Sequence, residues 1–279
     1  MDEVAVVTDA LSEDYFLPAW AKYYGSQFGR ENLYVFTYND KTISSEIGVG
    51  NALRMSFGYD NNVRIRMFND FVARLLQSYA CVIRADVDEF LVPDPRLYDG
   101  LKAFVMEARG PYATALGLDV VEMADEPPLN FKAPLLSQRK FAVKASAYSK
   151  TCVVRQPVSW GLGFHTMNAR PVFGELYLFH LKFADASRRL DWFEFMAETC
   201  RSDEAHYRHF KAARQQFETT LAHFRDLPRR EGDAAIRDRA FVATMEAAAA
   251  QGEDGQFDFQ GIATTDSVLC EIPGEFARF

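Results

Sequence analysis

The sequence predicts an α/β fold: an open, mostly parallel sheet flanked by helices, with a C-terminal helical appendage. Three observations carry this expectation. Apolar runs and amphipathic stretches alternate up to residue 120, the pattern of strand–helix–strand crossovers. The runs Val4–Thr8, Leu33–Thr37 and Cys81–Ala85 are continuous rather than alternating, as in strands covered on both faces. From Ser187 onward the spacing turns helical.

The elements follow in order. Val4–Thr8 reads as a first buried strand. Phe16, Leu17, Trp20, Tyr24 and Phe28 recur at helical spacing over 12–28, with Ser12 as the cap and Pro18 in the first turn. Leu33–Thr37 is the second strand and ends in the loop Tyr38-Asn-Asp40. Residues 41–62 are rich in Gly, Ser and Asn and carry no clear period. Met67, Phe68, Phe71, Val72, Leu75, Leu76 and Tyr79 mark a helix packed on the sheet. Cys81–Ala85 is the next strand, Leu97–Ala108 a helix, and Tyr112–Leu118 a strand. Leu176–Phe183 is the clearest strand of the middle region. Helices are predicted at Leu190–Cys200, 204–226 and 234–251. The domain boundary is placed near residue 185, giving a sheet domain over 1–185 and a helical region over 186–279.

Composition narrows the function. The net charge is −8, which argues against general nucleic-acid binding, since that needs a basic face. Cys81, Cys152, Cys200 and Cys270 are scattered, with no paired spacing for zinc, and read as reduced core thiols. No apolar stretch approaches the roughly 20 residues of a membrane span, and no signal region precedes Val4. The expectation is a cytoplasmic protein, free to touch the inner membrane surface peripherally to reach an acceptor.

In open α/β sheets, ligands gather at the carboxyl ends of the strands. Thr8-Asp9, Tyr38–Asp40 and Asp86–Glu89 all fall there. Arg84-Ala-Asp-Val-Asp-Glu-Phe-Leu-Val-Pro93 is the strongest of these signals. Magnesium and manganese take hard oxygen ligands, usually one or two carboxylates completed by phosphates. Asp86 and Asp88 at a strand end offer such a pair, and Glu89 either braces the turn or meets an acceptor. Carboxylates at Asp9 and Asp40, with the Thr8 hydroxyl, suit a base or ribose. For Asp9 the competing role is helix capping, and for Asp40 turn formation. Arg74, Arg84 and Lys182 are available to a phosphate, or equally to solvent.

The segment Asp86-Val-Asp-Glu-Phe-Leu-Val-Pro93 resembles the acidic segment of GT-A glycosyltransferases related to glycosyltransferase family two. The likeness extends to Phe16-Leu-Pro-Ala-Trp20, Tyr23-Tyr24 and Leu33-Tyr-Val-Phe36, then Gly163-Phe-His165 and Phe179-His-Leu-Lys182, over about residues 3–185. It departs at Thr8–Asp14, where such relatives often carry Arg-Asn-Glu or Lys-Asn-Glu. The resemblance implies a GT-A fold and a nucleotide-sugar donor, a UDP-sugar by preference. It also implies Mn2+ or Mg2+ as cofactor, and a carbohydrate or glycoconjugate acceptor, as in bacterial surface polysaccharide synthesis. It further implies a late histidine as third metal ligand. His180 is the first choice and His165 competes with it.

Trp160-Gly-Leu-Gly-Phe-His165 reads as a sugar-facing loop, with Trp160 and His165 as substrate contacts, or as an ordinary turn. An inverting reaction needs a general base, for which Asp119 and Glu122, expected after the Leu116–Leu118 strand, are favoured over Asp125 and Glu126. His206 and His209 share a helix face but suit solvent better than zinc. Two other classes compete. One is a non-catalytic carbohydrate-binding protein; the other is a nucleotidyltransferase-like enzyme, which usually has a Gly-rich loop where Thr8–Asp14 is acidic. A phosphatase using paired aspartates normally places them after the first strand, not the third.

Overall fold

A computed structural model describes residues 3–10, 15–199, 201, 204–232, 235–258 and 268–279, leaving the side chains of Ser146, Thr199, Ala205 and His206 aside. In chain order the elements are β1 (Val4–Ala10), α1 (Leu17–Phe28), β2 (Leu33–Thr37), β3 (Asn51–Arg54), α2 (Asn61–Leu75), β4 (Cys81–Arg84) and β5 (Glu89–Pro93). Then come α3 (Leu101–Glu107), β6 (Tyr112–Val121), β7 (Phe141–Lys144), β8 (Lys150–Val154), β9 (Phe173–Phe183), α4 (Ala186–Thr199) and α5 (Glu204–Arg225). The chain finishes with β10 (Arg229–Arg230), α6 (Arg239–Ala248), β11 (Ala250–Gln251), β12 (Phe257–Asp258) and β13 (Leu269–Glu271). The fold is α/β, as the sequence predicts.

The chain forms two compact units. The first takes Met1–Gly117, Ala145–Phe179 and Arg239–Thr264; the second takes Leu118–Lys144, His180–Asp238 and Thr265–Phe279. Residue 185 thus lies inside the second unit, and α6 belongs to the first.

In the first unit the sheet runs β6-β8-β4-β1-β2-β3. The strands β4, β1, β2 and β3 are mutually parallel, while β8 is antiparallel to β4 and β6. Every residue of β1 and β4 is buried, which explains their unbroken apolar sequence. Ile65, Phe68, Val72 and Leu75 form the buried stripe of α2, packed with Ala5, Val7, Phe36 and Val82. α2 starts six residues before the predicted Met67, because Asp60 caps it: its Oδ1 accepts the Val63 amide at 2.9 Å. α1 begins at Leu17 with Pro18 in its first turn. Ser12, expected as its cap, lies outside the described residues.

In the second unit the strand order is β10-β13-β7-β6, counting the end of β6. Phe183, Phe193, Phe217, Leu221 and Phe224 pack with Val121, Val143 and Leu269, so the apolar stripes of α4 and α5 are covered. Cys81, Cys152 and Cys270 are buried thiols; Cys200 lies outside the described residues. Among the described residues, no helix is long and apolar enough to cross a membrane.

Candidate functional site

Because β1, β2 and β4 are parallel, their carboxyl ends share one edge of the first unit's sheet. Asp9 near the end of β1, Tyr38 after β2 and Asp86 after β4 therefore meet there, as the sequence predicts. β8 adds a group that the sequence does not announce. Its register pairs Ile83 with Val153, and extending that pairing by three residues sets Lys150 opposite Asp86.

The result is a closed network of three carboxylates and three cations. Arg64 from the first turns of α2 holds Asp9 with two bonds, Nε to Oδ2 at 2.7 Å and Nη2 to Oδ1 at 2.6 Å. The same Nη2 donates to Asp86 Oδ1 at 2.6 Å. Arg84 donates to Asp86 through Nη2 and, at 3.2 Å, through Nη1. Arg84 and Asp86 stand two residues apart, hence on one face. Lys150 Nζ donates to Asp86 Oδ2 at 3.1 Å and to Glu89 Oε1 at 2.5 Å. The side chains of Arg84, Lys150 and Arg64 are only 1%, 3% and 9% exposed, against 25% for Asp86. Glu89 also accepts the Asp86 amide at 2.9 Å. Of its two expected roles, the geometry displays the brace across the turn.

The charges set one another's protonation. Partial burial opposes ionisation of Asp86, but Arg84, Lys150 and Arg64 hold its carboxyl well below the usual range. Burial works against the Lys150 ammonium, yet Glu89 and Asp86 keep its pKa above the ordinary lysine value. Tyr38 donates to Asp9 Oδ2 at 2.9 Å. Burial, with the Asp9 charge beside it, raises the phenol.

Aromatic rings wall the network. Phe164 lies with its ring 3.4 Å from the Arg84 guanidinium carbon and 4.7 Å from that of Arg64. It reaches there through a left-handed backbone, φ 66° at Gly163 and 61° at Phe164. The second is strained for a residue with a Cβ. Tyr59, 45% exposed, stands edge-on to Tyr38 at 5.6 Å and 5.8 Å from Arg64.

Several expected site residues lie elsewhere or do other work. Thr8 is fully buried, with an unbonded hydroxyl, so it presents nothing to a ligand. Asp40 is exposed at φ 53° in a left-handed turn with Asn39, which fits its turn role. Arg74 is exposed at the far end of α2. Ten residues from Arg64, it sits roughly 15 Å farther along the axis and on another face, so the α2 arginine of the network is Arg64. Trp160 is buried in the core, its indole donating to the Thr151 carbonyl at 3.0 Å, not facing a sugar. His165 is half-buried beside Tyr148 at 6.0 Å, and Asp88 is half-buried in the turn after Asp86.

In the second unit, Asp119 lies within β6 opposite Val143, not after the strand. Its Oδ1 is 2.6 Å from His180 Nδ1, both side chains being buried. Two expected roles thus converge on one dyad. Glu122 is committed to Arg225 at 3.0 Å and to the Ala186 amide at the start of α4 at 2.8 Å. Lys182 is half-buried over the Phe183 ring at 5.3 Å. Of the pair His206–His209, the first side chain lies outside the described residues.

The fit of a divalent cation to Asp86 is poor. A carboxylate has about four lone-pair sites. Here Oδ1 accepts from Arg64 and Arg84, and Oδ2 from Arg84 and Lys150. A cation would have to displace one of these donors and lie against the others. Among the described residues, no group of three or more His, Cys, Asp and Glu side chains is placed to hold a metal.

No family model matches the chain, and no curated protein does. Among solved structures, it resembles a cytidylyltransferase from Leptospira borgpetersenii serovar Hardjo-bovis, at 17% identity and a TM-score of 0.27, over 43% of this chain and 54% of that one. S. aureus TarS 1-349 gives 11% identity and a TM-score of 0.33, over 79% of this chain and 73% of that one. The mannose-1-phosphate geranyltransferase of Thermus thermophilus gives 12% and 0.31, over 80% and 68%. At these scores the likeness is remote, and it assigns neither family nor activity.

Proposed function

We propose that this chain is a glycosyltransferase that moves a sugar from a nucleotide-sugar donor, a UDP-sugar by preference, to a hydroxyl of a carbohydrate or glycoconjugate acceptor. One observation carries the reading. The segment Asp86–Pro93 turns at the carboxyl end of β4, joined through Arg64 to Asp9 of β1, which Tyr38 after β2 also meets, where parallel sheets receive nucleotides. Tyr59 supplies an exposed ring face next to these groups.

In the reaction the bond from the anomeric carbon to the diphosphate oxygen breaks and a bond to the acceptor oxygen forms. Negative charge gathers on the leaving diphosphate. Arg64, fixed by Asp9 and Asp86, is the preorganised donor for that charge. The acceptor proton passes to a general base; Asp119, expected in that role, is buried against His180 in the second unit. The expected Mn2+ or Mg2+ would be held by Asp88 and the donor's phosphates, where it would neutralise charge on the diphosphate.

Thermal melting with a panel of nucleoside diphosphates, with and without Mn2+, tests the reading. A ligand at about 100 times its Kd stabilises the native state by roughly 2.7 kcal/mol. UDP is expected to raise the midpoint in wild type and not in Arg64→Met. If no nucleoside diphosphate or nucleotide sugar shifts the wild type in either condition, the reading fails.

A further inference from the structure

We infer that Asp86 is a positioning residue and not a metal ligand: it gathers Arg64, Arg84 and Lys150 and so fixes Arg64, which meets the donor's diphosphate with no divalent cation on Asp86. The diphosphate part rests on the glycosyltransferase reading; the statement about metal does not.

An Asp-x-Asp pair at a strand end invites a hard cation, and such a cation needs open lone pairs. Asp86 has none to spare, because four N–H bonds from three elements close on its two oxygens. Nor does the network carry excess negative charge to attract a cation. Asp9, Asp86 and Glu89 are matched by Arg64, Arg84 and Lys150, and a metal at Asp86 would stand among all three positive groups. These cations are not loosely placed. Arg84 is held face-on by Phe164, Arg64 is doubly fixed on Asp9, and Lys150 is tied to Glu89 as well.

Asp86 is the one member bonded to all three, so it sets their spacing. Among the described residues, Arg64 Nη1 donates to nothing, while Nε and Nη2 are committed. That leaves two N–H groups of a fixed guanidinium for a phosphate oxygen, the geometry that arginine suits.

The test is a titration of Mn2+ followed by electron paramagnetic resonance on the full chain, without nucleotide and with UDP. It is paired with calorimetric UDP binding in EDTA. In Asp86→Asn the Mn2+ affinity is expected to stay within about twofold of wild type without nucleotide and with UDP saturating for each variant, while UDP binding in EDTA weakens about tenfold or more, as it does in Arg64→Met. A loss of Mn2+ binding of about tenfold in Asp86→Asn, with unchanged melting, overturns the inference. So does UDP binding that exists only with Mn2+ and vanishes in Asp86→Asn; the glycosyltransferase reading then survives. Absence of UDP binding in every arm instead sinks that reading and the diphosphate role, while the Mn2+ arm still decides whether Asp86 holds a metal. Should Asp86→Asn not fold, Lys150→Met replaces it. Opening an acceptor on Asp86 is expected to raise Mn2+ affinity about fivefold or more, and no rise over a wild type that already binds Mn2+ tightly overturns the inference.

Discussion

Arg64 holds Asp9 with two short bonds in a place where both side chains are nearly closed to water. Removing one partner of a buried pair costs about 3–5 kcal/mol where the other charge is left alone, but here Arg64 keeps Asp86. Asp9→Asn is therefore expected to lose about 2–3 kcal/mol in urea unfolding. A loss under about 1 kcal/mol would mean that water reaches Arg64 and the pair is not closed. Arg74→Ala, at an exposed position of the same helix, is expected to stay within about 0.5 kcal/mol of wild type. The contrast shows what was legible at this scale. Acidic residues at strand ends stand out because an apolar run stops at them, so Asp9, Asp86 and Asp88 could be picked from the sequence. Arg64 and Lys150 could not, because each interrupts an apolar stripe and reads as a solvated face. The faint signal was position: Arg64 lies four residues before Phe68 on the buried stripe of α2. Trp160 and Thr8 misled for the opposite reason, since polar and aromatic types common in sites also finish cores.

α2 carries Arg64 and is set by its first turn. Asp60 is the cap that starts the helix there, and removing a cap costs typically about 1 kcal/mol. Asp60→Ala is expected to show that loss in unfolding. It should also weaken UDP binding more than its stability cost alone explains, because Arg64 sits one turn from the frayed end. Equal UDP affinity in the variant would show that tertiary contacts, not the cap, hold Arg64. A second element-scale constraint is the crossing of β6 past the turn before β8. A Cβ at Gly117 would lie 2.5 Å from the Tyr148 carbonyl carbon and 2.7 Å from the Ala145 oxygen. Backbone cannot step aside cheaply, so Gly117→Ala is expected to destabilise by about 1–3 kcal/mol; a neutral result in urea unfolding would mean that the turn is free to shift. The identity of the long buried elements was readable, since period and continuity report burial directly, but β3 falls in the stretch with no clear period. Helix starts were not: α2 begins with a polar turn that adds no apolar period, and only the Asp60 cap marks it. The antiparallel pairing that delivers Lys150 was also hidden, because register between distant strands leaves no local trace.

At the scale of the whole molecule, buried ionisable groups predict how stability follows pH. On the acid side, Asp86 has a folded pKa depressed below the ordinary 3.8. Its contribution is therefore present above that value and lost as pH falls through the folded one. On the alkaline side the shifts are upward. Burial moves the Cys81 thiol from 9.0 to about 11. Tyr24, Tyr38 and Cys152 are raised by burial as well. A group raised in the folded state contributes fully below its unfolded pKa, and the contribution fades as pH climbs toward the folded one. Lys150, held up by Glu89 and Asp86, joins above the ordinary 10.5. A plateau is expected from about pH 4 to 9, followed by a fall. Each titrating group adds at most roughly 1.4 kcal/mol per pH unit to that fall, and Cys81 alone accounts for about 2 kcal/mol between pH 9 and 11. Urea unfolding under reductant, from pH 5 to 11, measures it. Cys81→Ala is the sharper half of the experiment. The variant starts lower because a small cavity replaces the sulfur, yet its curve should descend more gently above pH 9 by the slope of one proton. Parallel curves for wild type and variant would mean that the thiol meets water in the native state, and that the sheet around β4 is less tightly closed than its buried strands indicate.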